Sequence, residues 1–225
     1  MEEAMKSIEG IIFDMDGTLF DTERVSFNIW REVAQKYGYS MDKEVYASLM
    51  GRKRNDANEM LLELYGEDFP LDKIRDEKEM DMLKFIQENG VPVKDGVYEL
   101  LDFLVENGYK IALATSTSRE RAVFLLERTN IIDKFSVIVC GDDVINSKPN
   151  PEIFLKAAEG MKISPKKCVV IEDSPAGIEA AFNGGMLSIN VPDLKEPDEA
   201  MRKISNEICS DLLEVRDYLQ NNKFN

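Results

Sequence analysis

The sequence predicts an α/β fold in which a doubly wound, mostly parallel sheet is interrupted early by a smaller helical insert. Beyond residue 96, apolar strand-like runs alternate with segments of helical periodicity, which favours right-handed crossovers and a sheet covered on both faces. Between residues 22 and 89, helical segments follow one another with no convincing strand. The length of 225 residues suits a core domain that carries a smaller inserted one.

The predicted elements divide the chain into a core, residues 1–21 and 90–225, and a helical cap, residues 22–89. The first helix has an apolar stripe, and Thr22 is its candidate N-cap. The linker 89–96 is rich in Gly and shows no regular spacing of apolar residues. The cap helices are predicted at 22–37, 42–50, 54–65 and 71–88. The strands are predicted at 10–14, 110–116, 135–143, 167–174, 186–191 and near 208. The core helices are predicted at 96–107, 119–129, 151–161, 175–183 and 211–220.

The composition excludes several classes of function. The formal net charge is −15 and the longest basic run is GRKR at 51–54, so nucleic acid and an anionic membrane surface are poor partners. The chain has no histidine, which excludes Ser-His-Asp and Cys-His triads and histidine-bound zinc. A metal would therefore have mostly oxygen ligands, which favours Mg²⁺.

The cysteines and the apolar runs indicate a cytoplasmic protein. Cys140, Cys168 and Cys209 include no CxxC pair, and we expect all three to be reduced. The pattern of a signal peptide is missing, and no apolar stretch approaches the ~20 residues that span a bilayer. We further expect a monomer.

Polar residues follow the predicted strands at four separate places. Because the carboxyl ends of parallel strands meet at one edge of a sheet, we expect these side chains to lie together, beneath a cap placed to act as a lid. They are Asp14 and Asp16; Thr115, Ser116 and Thr117; Asp142 and Asp143, with Lys148 in the loop beyond; and Glu172, Asp173 and Ser174.

Carboxylates this close together repel one another unless a cation lies among them. The residues predict Mg²⁺ held by Asp14, Asp173 and the main-chain carbonyl of Asp16. A phosphate could then be bound by the metal, Lys148 and Thr115. One carboxylate could attack phosphorus to give an aspartyl-phosphate, and a second could transfer a proton at the leaving oxygen.

Four motifs, FDMDGTLFDT, LATST, SKPNPEIF and IEDSPAGIEAA, resemble in order and spacing those of the haloacid dehalogenase superfamily, in its magnesium-dependent phosphotransferase branch. The resemblance extends over nearly the whole chain and implies a Rossmann-like core. The helical insert resembles the small four-helix cap of the β-phosphoglucomutase-like group. The second aspartate, Asp16, distinguishes the chain from the dehalogenases themselves.

The resemblance implies a role for each motif residue. Asp14 would be the nucleophile and a metal ligand, and Asp16 the general acid and base whose carbonyl also binds the metal. Asp173 would be a metal ligand, with Glu172 beside it in an outer position. The transferring phosphoryl group would be held by Thr115, Ser116 and Lys148.

The resemblance leaves phosphatase and mutase open. Mutases of this group bind a distal phosphate through a cap arginine and use a cap lysine, and Arg54 and Lys78 match those positions. However, their cap histidine corresponds to Ser26 here, and their lysine after the second motif corresponds to Ser118, with Arg119 as a substitute. We therefore predict a phosphatase of small phosphorylated metabolites, with Thr22, Arg54, Lys78 and Arg119 as candidate cap and substrate residues.

A phospho-aspartate receiver domain is an alternative from another class. It also combines a doubly wound sheet, clustered aspartates and Mg²⁺. However, its acidic pair and its acceptor lie on different strands, in about half this length and without a lid. In this chain Asp14 and Asp16 lie at the end of one predicted strand, which favours the enzyme.

Overall fold

A six-stranded parallel sheet forms the centre of the protein. The computed structural model describes residues 8–50, 52 and 54–221. The strand order is β3-β2-β1-β4-β5-β6, and every pairing between the described strands is parallel. The strands are β1 Gly10–Phe13, β2 Lys110–Ala114, β3 Val137–Val139, β4 Cys168–Glu172, β5 Leu187–Asn190 and β6 Glu207–Ile208. The first strand therefore lies between β2 and β4, which brings the ends of three strands side by side.

Helices cover both faces of the sheet because its strands are apolar on both sides. Ile11 and Phe13 join one apolar cluster, and Ile12 between them joins the other. The core helices are α5 Val97–Glu106, α6 Arg119–Arg128, α7 Glu152–Met161, α8 Pro175–Asn183, α9 Glu199–Ile204 and α10 Leu212–Asn221. Side chains of α5, α6 and α10 fill the first cluster, and side chains of α7 and α8 fill the second. The predicted fold class is confirmed.

Four helices stand between β1 and α5. They are α1 Thr22–Lys36, α2 Lys43–Leu49, α3 Arg54–Tyr65 and α4 Leu71–Asn89. They share an apolar cluster of their own, which includes Trp30, Leu61 and Ile74. Met82 and Ile86, in the second half of α4, pack into a sheet cluster instead. The domain limits at 21/22 and 89/90 remain a prediction, and residues 1–7 and 222–225 lie outside the described residues.

The two connections between these helices and the sheet are bonded to each other. Phe20 and Val93 form an antiparallel bridge. The Asp21 N–H donates to the Pro92 carbonyl at 2.8 Å, and the Lys94 N–H donates to the Leu19 carbonyl at 2.9 Å. The chain therefore leaves and re-enters the core through one paired segment.

Three local features differ from the sequence prediction. The strand predicted at 135–143 is only Val137–Val139, because Gly141–Asp143 form a 3₁₀ turn. The short helix α9 was not predicted, although Asp198 caps it by accepting from the Met201 N–H at 2.9 Å. Thr22 is the first residue of α1 rather than its N-cap, and its hydroxyl bonds elsewhere.

Two other expectations can be compared with the structure. Cys140, Cys168 and Cys209 are all buried and none forms a disulfide. Within the described part of the chain, no helix combines the length and the apolar character that crossing a bilayer requires.

Candidate active site

A buried cluster of carboxylates lies at the carboxyl ends of β1 and β4. Asp14 follows β1, Glu172 ends β4, and Asp173 follows it. One oxygen from each of the three carboxylates lies within 4.8 Å of the others, and all three residues are buried. The strand pairing of β1 with β4 produces this cluster, because Phe13 and Ile171 are register partners.

Lys148 is the cation bonded within this cluster. Its Nζ donates to Asp14 Oδ1 at 2.5 Å and to Glu172 Oε1 at 2.8 Å. The ammonium also lies 4.9 Å from the centre of the Phe154 ring. Although burial opposes the charged form, the two carboxylates raise the pKa of Lys148 overall. The side chain is therefore a fixed positive charge with 3% of its surface exposed.

Glu172 is positioned by the start of α8. Its Oε2 accepts from the Ser174 N–H at 2.5 Å, and Ser174 Oγ caps the helix by accepting from the Gly177 N–H at 3.1 Å. A Cβ on Gly177 would lie 1.8 Å from Glu172 Oε1, so only glycine fits there. These contacts explain why the SPAG segment follows the acidic pair directly.

The cluster holds more negative charge than Lys148 balances. Burial, followed by the charges of Glu172 and Asp16, raises the pKa of Asp14 to about 8 against the lowering by Lys148. Burial and the charges of Glu172 and Asp14 raise the pKa of Asp173 well above its usual range. A divalent cation with oxygen ligands would remove this repulsion, so the donor set fits Mg²⁺.

Asp16 is held by two hydroxyl groups. Thr22 Oγ1 donates to its Oδ1 at 2.6 Å, and Thr117 Oγ1 donates to its Oδ2 at 2.7 Å. Gly17, which follows, has φ +87°, and a Cβ there would lie 2.4 Å from Asp173 Oδ2. The turn after β1 therefore requires glycine, and it directs the Asp16 carboxylate toward residues from α1 and from the end of β2.

A cavity of about 580 Å³ lies between the strand ends and the cap helices. This volume suits a small metabolite. The predicted site residues that line it are Asp14, Asp16, Thr22, Arg54, Lys78, Thr115, Ser116, Glu172 and Asp173. Lys148 is buried and is connected to this lining through its bond to Asp14. Gly51 and Lys53, which flank Arg52 in the predicted cap motif, lie outside the described residues.

Arg119 does not line this cavity. Its guanidinium donates to Asp143 Oδ2 at 2.5 Å and to the Ile138 carbonyl at 2.9 Å, which directs it toward β3. Arg121, two residues further along α6, lines the cavity instead. The expectation that Arg119 substitutes for the mutase lysine is therefore not supported by its position.

Several lining residues were missed by the sequence analysis. They are Glu23, Tyr46, Arg52, Arg75 and Arg121. The role of Thr117 as a hydrogen-bond donor to Asp16 was missed as well. Tyr46 donates its phenol hydrogen to Glu23 Oε2, and burial together with the charge of Asp16 raises the pKa of Glu23 to about 7. Glu23 directly follows the FDT segment, and this adjacency is the one signal that could have identified it.

The sequence is similar to a known protein family and to individual proteins within it. The family model described as haloacid dehalogenase-like hydrolase matches residues 11–191. A phosphorylated carbohydrates phosphatase of Thermotoga maritima is 37% identical over 183 residues, covering 80% of this chain and 82% of that protein. A β-phosphoglucomutase of Bacillus subtilis is 32% identical over 193 residues, covering 82% of this chain and 83% of that protein.

A solved structure is similar over nearly the full length. The crystal structure of β-phosphoglucomutase from Clostridium difficile has a TM-score of 0.78 and 30% identity, with 96% of each chain covered. The family match spans all four motifs that carry the resemblance, and the resemblance is confirmed. The chain belongs to the haloacid dehalogenase-like hydrolase family.

Proposed function

We propose that the protein is a Mg²⁺-dependent phosphatase of small phosphorylated metabolites, chiefly phosphorylated carbohydrates, that works through an aspartyl-phosphate on Asp14. The observation that carries the proposal is the buried group of Asp14, Lys148, Glu172 and Asp173 at the base of the cavity, with Asp16 beside it. The names of relatives support a phosphoric monoester hydrolase, including a fructose-1-phosphate phosphatase of Escherichia coli that is 32% identical over 184 residues.

The metal would be held by Asp14, Asp173 and the main-chain carbonyl of Asp16, with Glu172 as an outer partner. When bound, Mg²⁺ supplies positive charge that neutralises the carboxylates and polarises the phosphoryl group. Lys148 would then share its positive charge between Asp14 and a phosphoryl oxygen, and Thr115 and Ser116 would bind the remaining oxygens.

Asp14 and Asp16 would divide the chemistry between them. An Asp14 oxygen attacks phosphorus as the bond from phosphorus to the leaving oxygen breaks, and Asp16 donates its proton to that oxygen. Asp16 then accepts a proton from water, whose oxygen attacks phosphorus and releases phosphate with regeneration of Asp14. The hydroxyls of Thr22 and Thr117 hold Asp16 in position for both steps.

A sugar-phosphate mutase is the second candidate. Arg54 and Lys78 line the cavity at positions that match the distal phosphate residues of the mutases. In place of the mutase histidine, Ser26 is buried and its hydroxyl contacts the Tyr46 phenol. Because the histidine that gates the acid–base aspartate is missing, we favour transfer of the phosphoryl group to water.

The test is phosphate release from a panel of phosphorylated metabolites with Mg²⁺. We expect turnover that chelation of divalent ions abolishes, together with loss of turnover in Asp14→Asn and in Asp16→Asn. Asp14→Asn should also lose covalent phosphorylation, since it lacks the attacking oxygen. Activity that survives chelation would contradict the proposal.

Two outcomes would favour the alternatives. Stoichiometric conversion of β-glucose 1-phosphate to glucose 6-phosphate, with a trace of the 1,6-bisphosphate and no free phosphate, would identify a mutase. Single-turnover labelling without release would indicate a receiver-type switch. The monomeric state and the cytoplasmic location remain predictions.

A further inference from the structure

A buried aspartate outside the acidic cluster joins the cap to the core. Asp193 lies in the loop that follows β5, and its side chain is 0% exposed. Its Oδ1 accepts from Lys94 Nζ at 2.7 Å and from Arg24 Nη2 at 3.3 Å. Arg24 belongs to the first turn of α1, and Lys94 belongs to the segment 92–94 that returns from the cap. One carboxylate oxygen therefore connects three segments that are distant in sequence.

The next residue of the same loop packs against the cap. Leu194 is partly buried against the apolar cluster of the cap helices, which includes Trp30. The loop after β5 thus makes one polar and one apolar contact with the helices that cover the cavity. Together with the pairing of residues 19–21 with residues 92–94, these contacts determine where the cap meets the sheet.

The hydrogen bonding of Asp193 is incomplete, so its burial is costly. Its second oxygen, Oδ2, is buried and has no hydrogen-bond partner among the described residues. A buried ion pair with incomplete hydrogen bonding often stabilises a protein less than apolar residues of similar volume do. Holding neighbouring segments in position therefore explains the carboxylate better than a contribution to stability does.

The start of α1 depends on tertiary contacts of this kind. Asp21, which precedes the helix, makes no side-chain hydrogen bond to a backbone N–H of the first turn. Thr22 directs its hydroxyl to Asp16 Oδ1 at 2.6 Å instead. Arg24 lies two residues further along the same turn, so its bond to Asp193 restrains the turn that carries Thr22. The direction of the Thr22 hydroxyl, and through it of the Asp16 carboxylate, thus depends on this restraint.

A purely electrostatic role for Asp193 is the alternative, because its charge acts on groups of the site. Burial is the main cause that raises the pKa of Glu23 to about 7, and the charge of Asp193 adds to it. Burial is also the main cause that raises the pKa of Asp173, and Asp193 again adds to it. Lys94 carries the opposite charge, so removal of Lys94 and removal of Asp193 change this potential in opposite directions.

We propose that Asp193 is a positioning residue: its carboxylate holds the first turn of α1 and the returning segment to the loop after β5, and thereby keeps Thr22 against Asp16. In the proposed reaction Asp16 donates a proton to the leaving oxygen, which requires a fixed direction of its carboxylate. The inference rests on the proposed phosphatase function for this role of Asp16.

The test compares a substrate whose leaving group needs a proton with one whose leaving group does not. The first is the sugar phosphate that is hydrolysed fastest in the metabolite panel, since it releases an alcohol. The second is p-nitrophenyl phosphate, which releases a stabilised anion. With Mg²⁺, Asp193→Asn should lower kcat/KM about fivefold for the sugar phosphate and less than about twofold for p-nitrophenyl phosphate. Equal losses for the two substrates would overturn the inference.

Thr22→Val relates the loss to the position of Asp16. It removes the hydroxyl that bonds to Asp16, so it should show the same selectivity, with a loss of about tenfold for the sugar phosphate. Asp193→Asn combined with Thr22→Val should lose little more than Thr22→Val alone, because both changes interrupt one chain of contacts. Independent losses would multiply to about fiftyfold and would contradict the proposal.

Lys94→Met separates position from charge. If Asp193 acts by holding, this variant should lower kcat/KM for the sugar phosphate in the same direction as Asp193→Asn. Changes of opposite sign in the two variants would assign the effect to the charge alone and overturn the inference. Should Asp193→Asn fail to fold, Lys94→Met carries the same comparison of the two substrates.

The matched control is Asp21→Asn. Asp21 pairs with the same arginine, with 3.2 Å between its Oδ2 and Arg24 Nε, but its side chain is 30% exposed. We expect kcat/KM to change less than about twofold for either substrate. A loss as large as that in Asp193→Asn would show that the buried carboxylate has no special role.

A second measurement is independent of catalysis. Hydrogen exchange in the backbone of residues 22–30 should be about tenfold faster in Asp193→Asn than in Asp21→Asn. Equal exchange in the two variants would overturn the inference and leave the phosphatase proposal standing. If the unmodified enzyme hydrolyses no phosphate ester, the phosphatase proposal fails, and this exchange still decides whether Asp193 holds α1. A circular dichroism spectrum like that of the control excludes misfolding of the variants.

Discussion

The cavity has a strand-end wall, formed by residues at the ends of β1 and β4, and a facing wall, formed by the cap helices and α6. The two walls differ in whether their charged side chains have a partner of opposite charge. At the strand ends, Lys148 is bonded to both Asp14 and Glu172, and all three residues are buried. On the facing wall, Lys78 and Arg121 lack such partners within the described residues and are half-buried. The cation of the first wall is therefore held by two carboxylates before any substrate enters, whereas the cations of the second wall have no such carboxylate partner among the described residues. The groups of the proposed chemistry are therefore held in place by one another, whereas the basic groups opposite them are not.

Removal of Lys148 should have the largest effect, because it removes the cation that two buried carboxylates share. In Lys148→Met, Asp14 and Glu172 lose their shared cation inside the protein, and we expect a loss of about 3–5 kcal/mol in the free energy of unfolding. Catalysis should fall by about 10² or more. Urea denaturation and phosphate release measure the two effects.

A matched control exists on the surface. Lys134 Nζ pairs with Asp102 Oδ1 at 2.7 Å, and the two side chains are 35% and 59% exposed. Lys134→Met should change the free energy of unfolding by less than about 1 kcal/mol. Similar losses in the two variants would contradict the contrast between a buried and an exposed pair.

The stabilisation that Mg²⁺ gives to the strand-end wall should depend on pH. Because the pKa of Asp14 is raised from 3.8 to about 8, the folded protein retains a proton that the unfolded chain has released. The metal-free protein should therefore lose stability as pH rises through that window. Mg²⁺ replaces the proton, so it should raise the melting temperature more near pH 8 than near pH 5, with a gain of about 2.7 kcal/mol at 100 times Kd.

Asp173→Asn is the control for this metal effect. It removes a proposed ligand, and most of the response of the melting temperature to Mg²⁺ should disappear. A response to Mg²⁺ that is equal at both pH values would show that the ion binds away from the buried carboxylates.

The smallest effect is expected where the strand-end wall meets the cap. Thr117→Val removes one of the two hydroxyls that hold Asp16, with little change in volume. We expect kcat to fall about tenfold, since one hydrogen bond to a charged group is lost, while KM changes little. Thr117→Ser keeps the hydroxyl and should retain most of kcat. An unchanged kcat in Thr117→Val would show that Thr22 alone positions Asp16.

The strand-end wall could be predicted from sequence because strand pairing alone determines it. Asp14 and Asp173 follow strands that Phe13 and Glu172 end, and the carboxyl ends of parallel strands lie at the same edge of a sheet, so these acidic side chains come together. Lys148 was found through its motif, although its double contact with Asp14 and Glu172 needed coordinates.

The residues of the facing wall could not be predicted in the same way, because they depend on how each helix is rotated about its own axis. Arg119 and Arg121 are about 200° apart around α6, so only one of them can face the cavity, and their sequence positions do not determine which. Glu23 and Tyr46 meet across two helices of the cap, and no local pattern signals that contact. The six-residue helix α9 was missed because its length leaves too little periodicity.

The paired crossings between cap and core have a consequence for movement. Since residues 19–21 and 92–94 are joined by backbone hydrogen bonds and a bridge, neither crossing can bend without the other. We therefore expect any displacement of the four helices to be close to a rotation about this paired segment, with Met82 and Ile86 of α4 separating from the sheet cluster. Such a rotation would bring Arg75 and Lys78, which line the cavity, back to the same position over the strand ends.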